Sequence, residues 1–287
     1  MSTLKTIAFQ GELGANSHEA CRTYFPDYQV LPCATFEEAF EAIKTGAAQL
    51  GMIPIENSIA GRVADVHHLL PASGLKIIGE RFKPIRFQLM VNKGVTLDTV
   101  TTAVSMPIAL SQCRHSLKRL GLATEGAGDT AGAAKALAAK PDPTRAAVAP
   151  ALAAEIYDLD ILARDIEDER HNTTRFLVMT ADPAPPAPSF THRCVTSFVF
   201  RVRNLPAALY KALGGFATNG VNMTKLESYM VDGNFFATQF YADVDGHPED
   251  KGLAFALEEL KFFSRELRIV GVYPAHPFRA TFSERME

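Results

Sequence analysis

No stretch of this 287-residue chain approaches the roughly 18 consecutive apolar residues that a membrane-spanning helix needs, so no membrane association is expected. The opening residues, MSTLKTIAFQG, contain no long apolar region and no cleavage site. They read as a first strand, and a cytoplasmic location is expected. Cysteine is scarce: Cys21, Cys33, Cys113 and Cys194 stand far apart and form no Cys-x-x-Cys pair, which argues for buried reduced thiols over disulfides or metal ligands. No His-x-x-x-His spacing occurs, and the adjacent His67 and His68 cannot face one ion from a regular helix, so no metal is expected. A nucleophile elbow, a Walker loop and a basic–aromatic RNA-binding pattern are also missing. With a net charge of -3 and a pI near 6.3, the chain lacks the basic face that nucleic acid requires. These absences leave a reaction that side chains and positioning manage without a cofactor.

The composition that remains, 47% hydrophobic and 21% charged, is that of a globular protein too long for one core. Pro183, Pro185, Pro186 and Pro188 cannot continue a helix or a central strand. A linker is therefore expected at about 181–193. Before it, short apolar runs alternate with helix-like segments: Thr6–Gln10, Tyr28–Cys33, Gly51–Ile55, Lys76–Gly79, then Ile85–Val91, Val100–Val104 and Ala146–Ala149. That alternation predicts a parallel α/β sheet covered on both faces over residues 1–180. Helices are expected over Pro107–Leu120 and Thr130–Ala139. In 194–287 the pattern changes. Phe198, Phe200 and Val202 alternate with polar residues, and Leu205, Leu209, Leu213 and Phe216 recur at helical spacing. Met223–Met230 and Phe235–Val244 flank the turn signal Asp232-Gly233-Asn234. A second helix carries Leu253, Leu257 and Leu260, and Leu267–Tyr273 closes a βαββαβ, ferredoxin-like α+β unit.

Four polar clusters sit where strands end. Gly11–His18 follows the first strand and opens a helix, whose N–H groups at Ala15, Asn16 and Ser17 attract an anion; an ordinary tight turn is the alternative, with His18 a helix-start residue. At the end of the next buried run, Glu56, Asn57 and Ser58 supply a carboxyl, an amide and a hydroxyl. Asn57 or Ser58 could equally cap the following helix. Ser105 precedes a helix begun by Pro107 and carrying Gln112, where capping again competes with chemistry. Gly128–Ala131 reads as another helix start. The sharpest run is His171–Met179, in which Asn172, Thr173, Thr174 and Arg175 pass directly into an apolar strand. Such a strand tip holds hydrogen-bonding groups rigidly, as open α/β proteins do for their ligands.

In this order the clusters resemble those of the bacterial prephenate dehydratase family along almost the whole chain. Its Gly-rich loop ending in Ser-His is matched by Gly11–His18, its Pro-x-Glu-Asn-Ser by Pro54–Ser58, and its Asn-x-Thr-Arg-Phe by Asn172–Phe176. Its Ser-x-Pro-x-x-x-x-Gln is matched by Ser105, Pro107 and Gln112, although Met106 and Ile108 stand where His and Gln are common. The C-terminal unit resembles an ACT domain, a small regulatory module that binds amino acids. Asn219–Ser228 matches the start of the second regulatory motif, but Tyr229 and Met230 replace its usual Arg-Pro. The earlier Gly-Ala-Leu motif becomes Pro206-Ala207-Ala208-Leu209.

The resemblance implies two α/β lobes of the periplasmic-binding-protein type, the second at about 82–158, with substrate in the cleft between them. It implies conversion of prephenate to phenylpyruvate, CO₂ and water, with Thr174, Glu56 and Asn57 catalytic. Burial could raise the pKa of Glu56 into an acid's range. Substrate would be held by Ala15, Asn16, Ser17, Ser58, Ser105, Gln112, Asn172, Arg175 and Phe176. L-Phenylalanine is the expected effector, at Pro206, Ala207, Ala208, Leu209, Asn222, Met223, Thr224, Leu226, Glu227 and Ser228. ACT pairing implies a homodimer or a dimer of dimers. An arogenate dehydratase and a non-catalytic amino-acid sensor are the rival readings.

Overall fold

A computed structural model describes residues 5–181, 193–203, 205–230 and 237–283. The Pro-rich linker, apart from its two end residues, and the Asp232-Gly233-Asn234 turn lie outside the described residues. Two compact units emerge. The first comprises 1–66 and 81–176, the second 67–80 and 177–287.

The first lobe of the first unit begins with β1 (Thr6–Gln10), α1 (Asn16–Tyr24), β2 (Gln29–Cys33) and α2 (Phe36–Lys44). It continues with β3 (Leu50–Asn57), β4 (Gly61–Arg62), α3 (Ala64–Ser73) and β5 (Lys76–Pro84). The chain then crosses to a second lobe, opened by β6 (Gln88–Val91), β7 (Thr102–Ser105), α4 (Pro107–Gln112) and α5 (Arg114–Arg119). That lobe is completed by β8 (Ala123–Gly126), α6 (Thr130–Ala139), β9 (Arg145–Ala149), α7 (Ala151–Tyr157) and β10 (Asp160–Ala163). A second crossing delivers β11 (Thr173–Thr180) back to the first sheet.

The two sheets share one plan. The first runs β2-β1-β3-β11-β5 and the second β8-β7-β9-β6-β10. In each, the fourth strand is the one that arrives from the other lobe. This is the two-lobed α/β arrangement expected, but the second sheet is not wholly parallel, because β6, entering from the other lobe, runs antiparallel to both β9 and β10. The inner strands β9 and β6 of the second sheet are buried on both faces, as strands flanked by crossover helices must be. Leu89, Val91 and Val148 meet Leu110 and Leu117 on one face, while Met90, Ala147 and Ala149 meet Ala131, Ala134 and Ala153 on the other.

One expected helix is two. Pro107–Leu120 breaks at Cys113 because the Asp168 carboxylate accepts from the N–H groups of His115 and Ser116, at 3.0 to 3.2 Å, and so caps a new helix start. The Asp168 N–H donates in turn to the Gln112 carbonyl at 2.7 Å.

The second unit has the expected βαββαβ order: β12 (Cys194–Val202), α8 (Ala208–Thr218), β13 (Met223–Met230), β14 (Ala237–Asp245), α9 (Lys251–Phe263) and β15 (Ser264–Pro274). A last helix, α10 (Phe278–Ser283), follows. Strands pair antiparallel as β13-β14-β12-β15, the ferredoxin-like order. Phe198, Phe200 and Val202 face Phe216, Leu253, Leu257 and Leu260 in the core.

Residues 67–80 belong to this unit, an assignment their place in the sequence does not suggest. Ile77 pairs in parallel with Gly271, and the backbones approach so closely that a Cβ on Gly271 would lie 2.5 Å from that of Ile77. Arg279 grips the wholly buried Glu80 carboxylate through two bonds of 2.6 and 2.9 Å. It also donates to Thr224 at 3.2 Å.

Candidate active site

The site is assembled at the tips of β3 and β11, with α4 contributing from the second lobe. At its centre three side-chain amides form a closed ring. Asn57 Nδ2 donates to Asn172 Oδ1 at 2.7 Å, Asn172 Nδ2 to Gln112 Oε1 at 3.1 Å, and Gln112 Nε2 back to Asn57 Oδ1 at 3.3 Å. The backbone fixes the sense of this ring. The N–H groups of Ile59 and Ala60 both donate to Asn57 Oδ1 at 2.9 Å, so the other end of that amide must be its nitrogen. Nδ2 of Asn57 also donates to Thr174 Oγ1 at 2.9 Å. The threonine oxygen is thus an acceptor here, and its own proton is directed elsewhere.

Around the ring the polar groups are tied to backbone. Ser58 Oγ donates to the His171 carbonyl and accepts from the Thr173 N–H, each at 3.0 Å, while its own N–H meets the Thr173 carbonyl at 2.9 Å. Asn57 and Ser58 therefore lock β3 to β11 rather than cap the next helix. Arg175, only 4% exposed, pairs with Glu56 Oε1 at 2.9 Å. Glu56 thus sits against a guanidinium.

Two expected contacts take on structural tasks. Ser105 is fully buried and donates to the Val148 carbonyl at 2.6 Å, tying β7 to β9. The Phe176 side chain is core. At the start of α1, Ala15 is the N-cap and provides no side-chain cap. The next residue, Asn16, holds a buried Oδ1 with no partner among the described residues. Ser17 and His18 are buried beside it. His18 stacks on Phe9 at 5.6 Å, nearly parallel, and its Nδ1 accepts the Gly14 N–H at 2.9 Å. Burial, more than the nearby Arg22 charge, pushes this imidazole below its ordinary pKa. The i, i+4 spacing of Gly14 and His18 is the only sequence signal for that bond.

The second lobe meets this loop directly. Glu12 pairs with Lys135 at 2.9 Å, the Leu13 carbonyl accepts from Tyr157 OH at 2.8 Å, and Arg22 pairs with Glu155 at 3.1 Å. Asp129 caps α6 by accepting the Gly132 N–H at 2.6 Å, and burial raises its carboxyl above the usual range.

Residues 7–184 match the family model of prephenate dehydratase. The chain belongs to that family. As a prephenate dehydratase family member it is a carbon–oxygen lyase of aromatic amino acid biosynthesis. It is 50% identical, over 97% of its length and 99% of the relative's, to the bifunctional N-acyl-homoserine lactone acylase/prephenate dehydratase of Komagataeibacter europaeus. It is 37% identical to arogenate dehydratase 2 of Petunia hybrida, over 94% of this chain and 71% of that one. The prephenate dehydratase of Arthrobacter aurescens, solved with L-Phe, superposes with a TM-score of 0.85 at 30% identity, over 98% and 97% of the two chains.

The effector candidates fall on two elements of the second unit. Pro206 and Ala207 are exposed before α8, with Ala208 and Leu209 half-buried in its first turn. Ala207 has a φ of 59° in the left-handed region. Asn222 donates to Asp245 at 2.8 Å. Along β13, Thr224, Leu226 and Ser228 face out, while Met223 and the Lys225–Glu227 pair, at 3.0 Å, face the other way.

Proposed function

We propose that this chain converts prephenate to phenylpyruvate and that L-phenylalanine, bound at an ACT-type C-terminal unit, lowers its turnover. The observation that carries the catalytic reading is the amide ring with Thr174 hung from it. Loss of the ring carboxylate as CO₂ pushes an electron pair into the ring and expels the hydroxide, which leaves as water once protonated. That leaving group needs a donor whose own oxygen is already occupied. Asn57 occupies the Thr174 oxygen, so the Thr174 proton points away from it. A threonine is a weak free acid, so its part is orientation and proton relay. The α1 N-terminus with Asn16 attracts a substrate carboxylate. Contact between the lobes excludes water, which strengthens each of these interactions. Glu56 orders Arg175, and Gln112 brings the second lobe into the ring.

For regulation, β13 is the edge strand of its sheet and exposes Leu226 and Met230, at 39% and 52%. Pairing of two such edges would bury both side chains and place the Asn222–Ser228 motif at a two-fold axis, supporting a homodimer or a dimer of dimers. We further propose a cytoplasmic enzyme.

Two substrate alternatives rest on relatives: arogenate, from the plant enzymes, and an N-acyl-homoserine lactone, from the 50% identical bifunctional protein. One assay separates them, measuring phenylpyruvate from prephenate, phenylalanine from arogenate and free homoserine lactone from its acyl derivative, each with and without L-phenylalanine. Prephenate turnover that falls with L-phenylalanine supports both halves of the proposal. Turnover without inhibition moves attention to Tyr229 and Met230. No turnover of any substrate by the folded protein favours a sensor.

A further inference from the structure

Outside the amide ring, the feature least explained by the reaction is the imidazole at the start of α1. His18 is 6% exposed, stacked on Phe9 and bonded through Nδ1 to the N–H of Gly14. An imidazole nitrogen that accepts a backbone N–H carries no proton, so the ring is neutral with its hydrogen on Nε2. The residue it holds cannot be replaced. Gly14 has a φ of 94°, and a Cβ there would lie 2.8 Å from the Ala153 Cα of α7. The loop held by His18 is thus the one that seats on α6 and α7 of the second lobe and leads into Asn16.

We propose that His18 is a positioning residue for the dehydration. By accepting the Gly14 N–H with a neutral ring, it fixes the Gly11–Ser17 loop in the shape that both presents the α1 N-terminus to substrate and meets the second lobe. His18 acts through Gly14, not on reacting atoms. Protonation of Nδ1 would turn the acceptor into a donor facing an N–H and release the loop.

The charged groups around the ring are set against each other. On its own helix lie Glu19, which pairs with Lys83 of β5 at 2.6 Å, and Arg22, which pairs with Glu155 of α7. Glu19 and Glu155 favour the charged imidazole, whereas burial and Arg22 disfavour it more strongly. With the folded-state pKa below the ordinary 6.5, the lock is complete above that pH and is lost as the pH falls through the lowered value.

The inference rests on the prephenate dehydratase reading for its kinetic test but not for its structural one. In His18→Asn, Oδ1 takes the place of the accepting nitrogen; His18→Leu keeps the bulk and removes the acceptor. Both are compared with wild type by thermal melt, by prephenate kinetics from pH 5 to 8, and by hydrogen exchange of the peptide covering the loop. We expect KM to rise about 10-fold in His18→Leu with kcat changed less than about 3-fold, and His18→Asn to stay within about 3-fold of wild type on both. Wild-type KM should climb below pH 6.5 and that of His18→Asn should not. Loop exchange, read without substrate, should be about 10-fold faster in His18→Leu than in His18→Asn. A wild-type KM in folded His18→Leu, or equal impairment in the two variants, overturns the inference. If wild type turns over no prephenate, the functional reading fails and the exchange ratio alone decides for or against the lock. If His18→Leu does not fold, the wild-type loop must instead exchange faster below pH 6.5 while His18→Asn does not, once the intrinsic pH dependence of exchange is removed.

Discussion

Asn57→Asp changes one nitrogen to oxygen and tests the amide ring directly. In the wild type Nδ2 of Asn57 donates to Asn172 Oδ1 at 2.7 Å and to Thr174 Oγ1 at 2.9 Å. With a carboxylate, the first contact becomes oxygen against oxygen. The second survives only if Thr174 turns its proton toward that carboxylate. With Thr174 turned, the lost bonds are those to Asn172 Oδ1 and to the Thr173 carbonyl, which Nδ2 also meets at 3.3 Å. At about 1 kcal/mol each, with Asn172 Oδ1 left facing a charge, they sum to about 3 kcal/mol. At about 2–4 °C per kcal/mol that is a fall in Tm of roughly 6–12 °C, which leaves the chain folded at 25 °C. The chemical effect is larger. A Thr174 hydroxyl committed to the introduced carboxylate cannot protonate the leaving hydroxide, so kcat should fall about 10²-fold, or ~2.7 kcal/mol. Thr174→Val removes the same proton by another route. The two substitutions therefore act on one hydroxyl, and the double variant should be no slower than the worse single one. Steady-state kinetics on the four proteins, with melts to establish folding, decide the matter. A folded Asn57→Asp within about 3-fold of wild-type kcat, or a double variant whose losses multiply, would refute the reasoning.

Other expectations concern stability. Ala207→Gly relieves a left-handed residue at the start of α8 and should stabilise by about 1 kcal/mol, seen as a Tm increase of about 2–4 °C; a decrease would show that the turn is not strained. Glu80→Gln removes the carboxylate that the Arg279 guanidinium grips and should cost about 3 kcal/mol in urea unfolding. Asp129→Asn keeps a capping side chain on α6 while removing a carboxyl whose folded-state pKa is raised by burial. A raised carboxyl makes the native state bind protons more readily than the unfolded one, so it disfavours folding near pH 7 and less so in acid. The variant should therefore gain more Tm at pH 7 than at pH 4; equal changes would place the carboxyl in solvent.

Local signals carried much of the fold. The alternation in Met223–Met230 coincides with β13 at both ends, and the apolar run after Arg175 is β11. What the sequence hides is set from a distance. The break between α4 and α5 comes from Asp168, more than 50 residues downstream, so Pro107–Leu120 reads as one helix. The strand Ala123–Gly126 is exposed throughout and lacks the apolar alternation that marks its neighbours. At the site, the residue types are visible as strand-tip clusters, but the direction of the amide ring depends on two backbone N–H groups at Ile59 and Ala60. Ser105 reads as a ligand contact because its neighbour Val148 belongs to another strand.

The allegiance of residues 67–80 has a practical consequence for protein engineering. A fragment ending in the Pro-rich segment would keep Glu80 and lose Arg279, and would keep Ile77 while losing the glycine backbone that covers it. Such a truncation carries a carboxylate stripped of its guanidinium and an open strand edge into water, and aggregation follows from both. For the same reason, the C-terminal unit is not a cassette to be exchanged between relatives at a single breakpoint. A functional chimera needs further breakpoints beyond the one in the Pro-rich segment, one on either side of 67–80, so that the graft brings its own helix and half-strand with it.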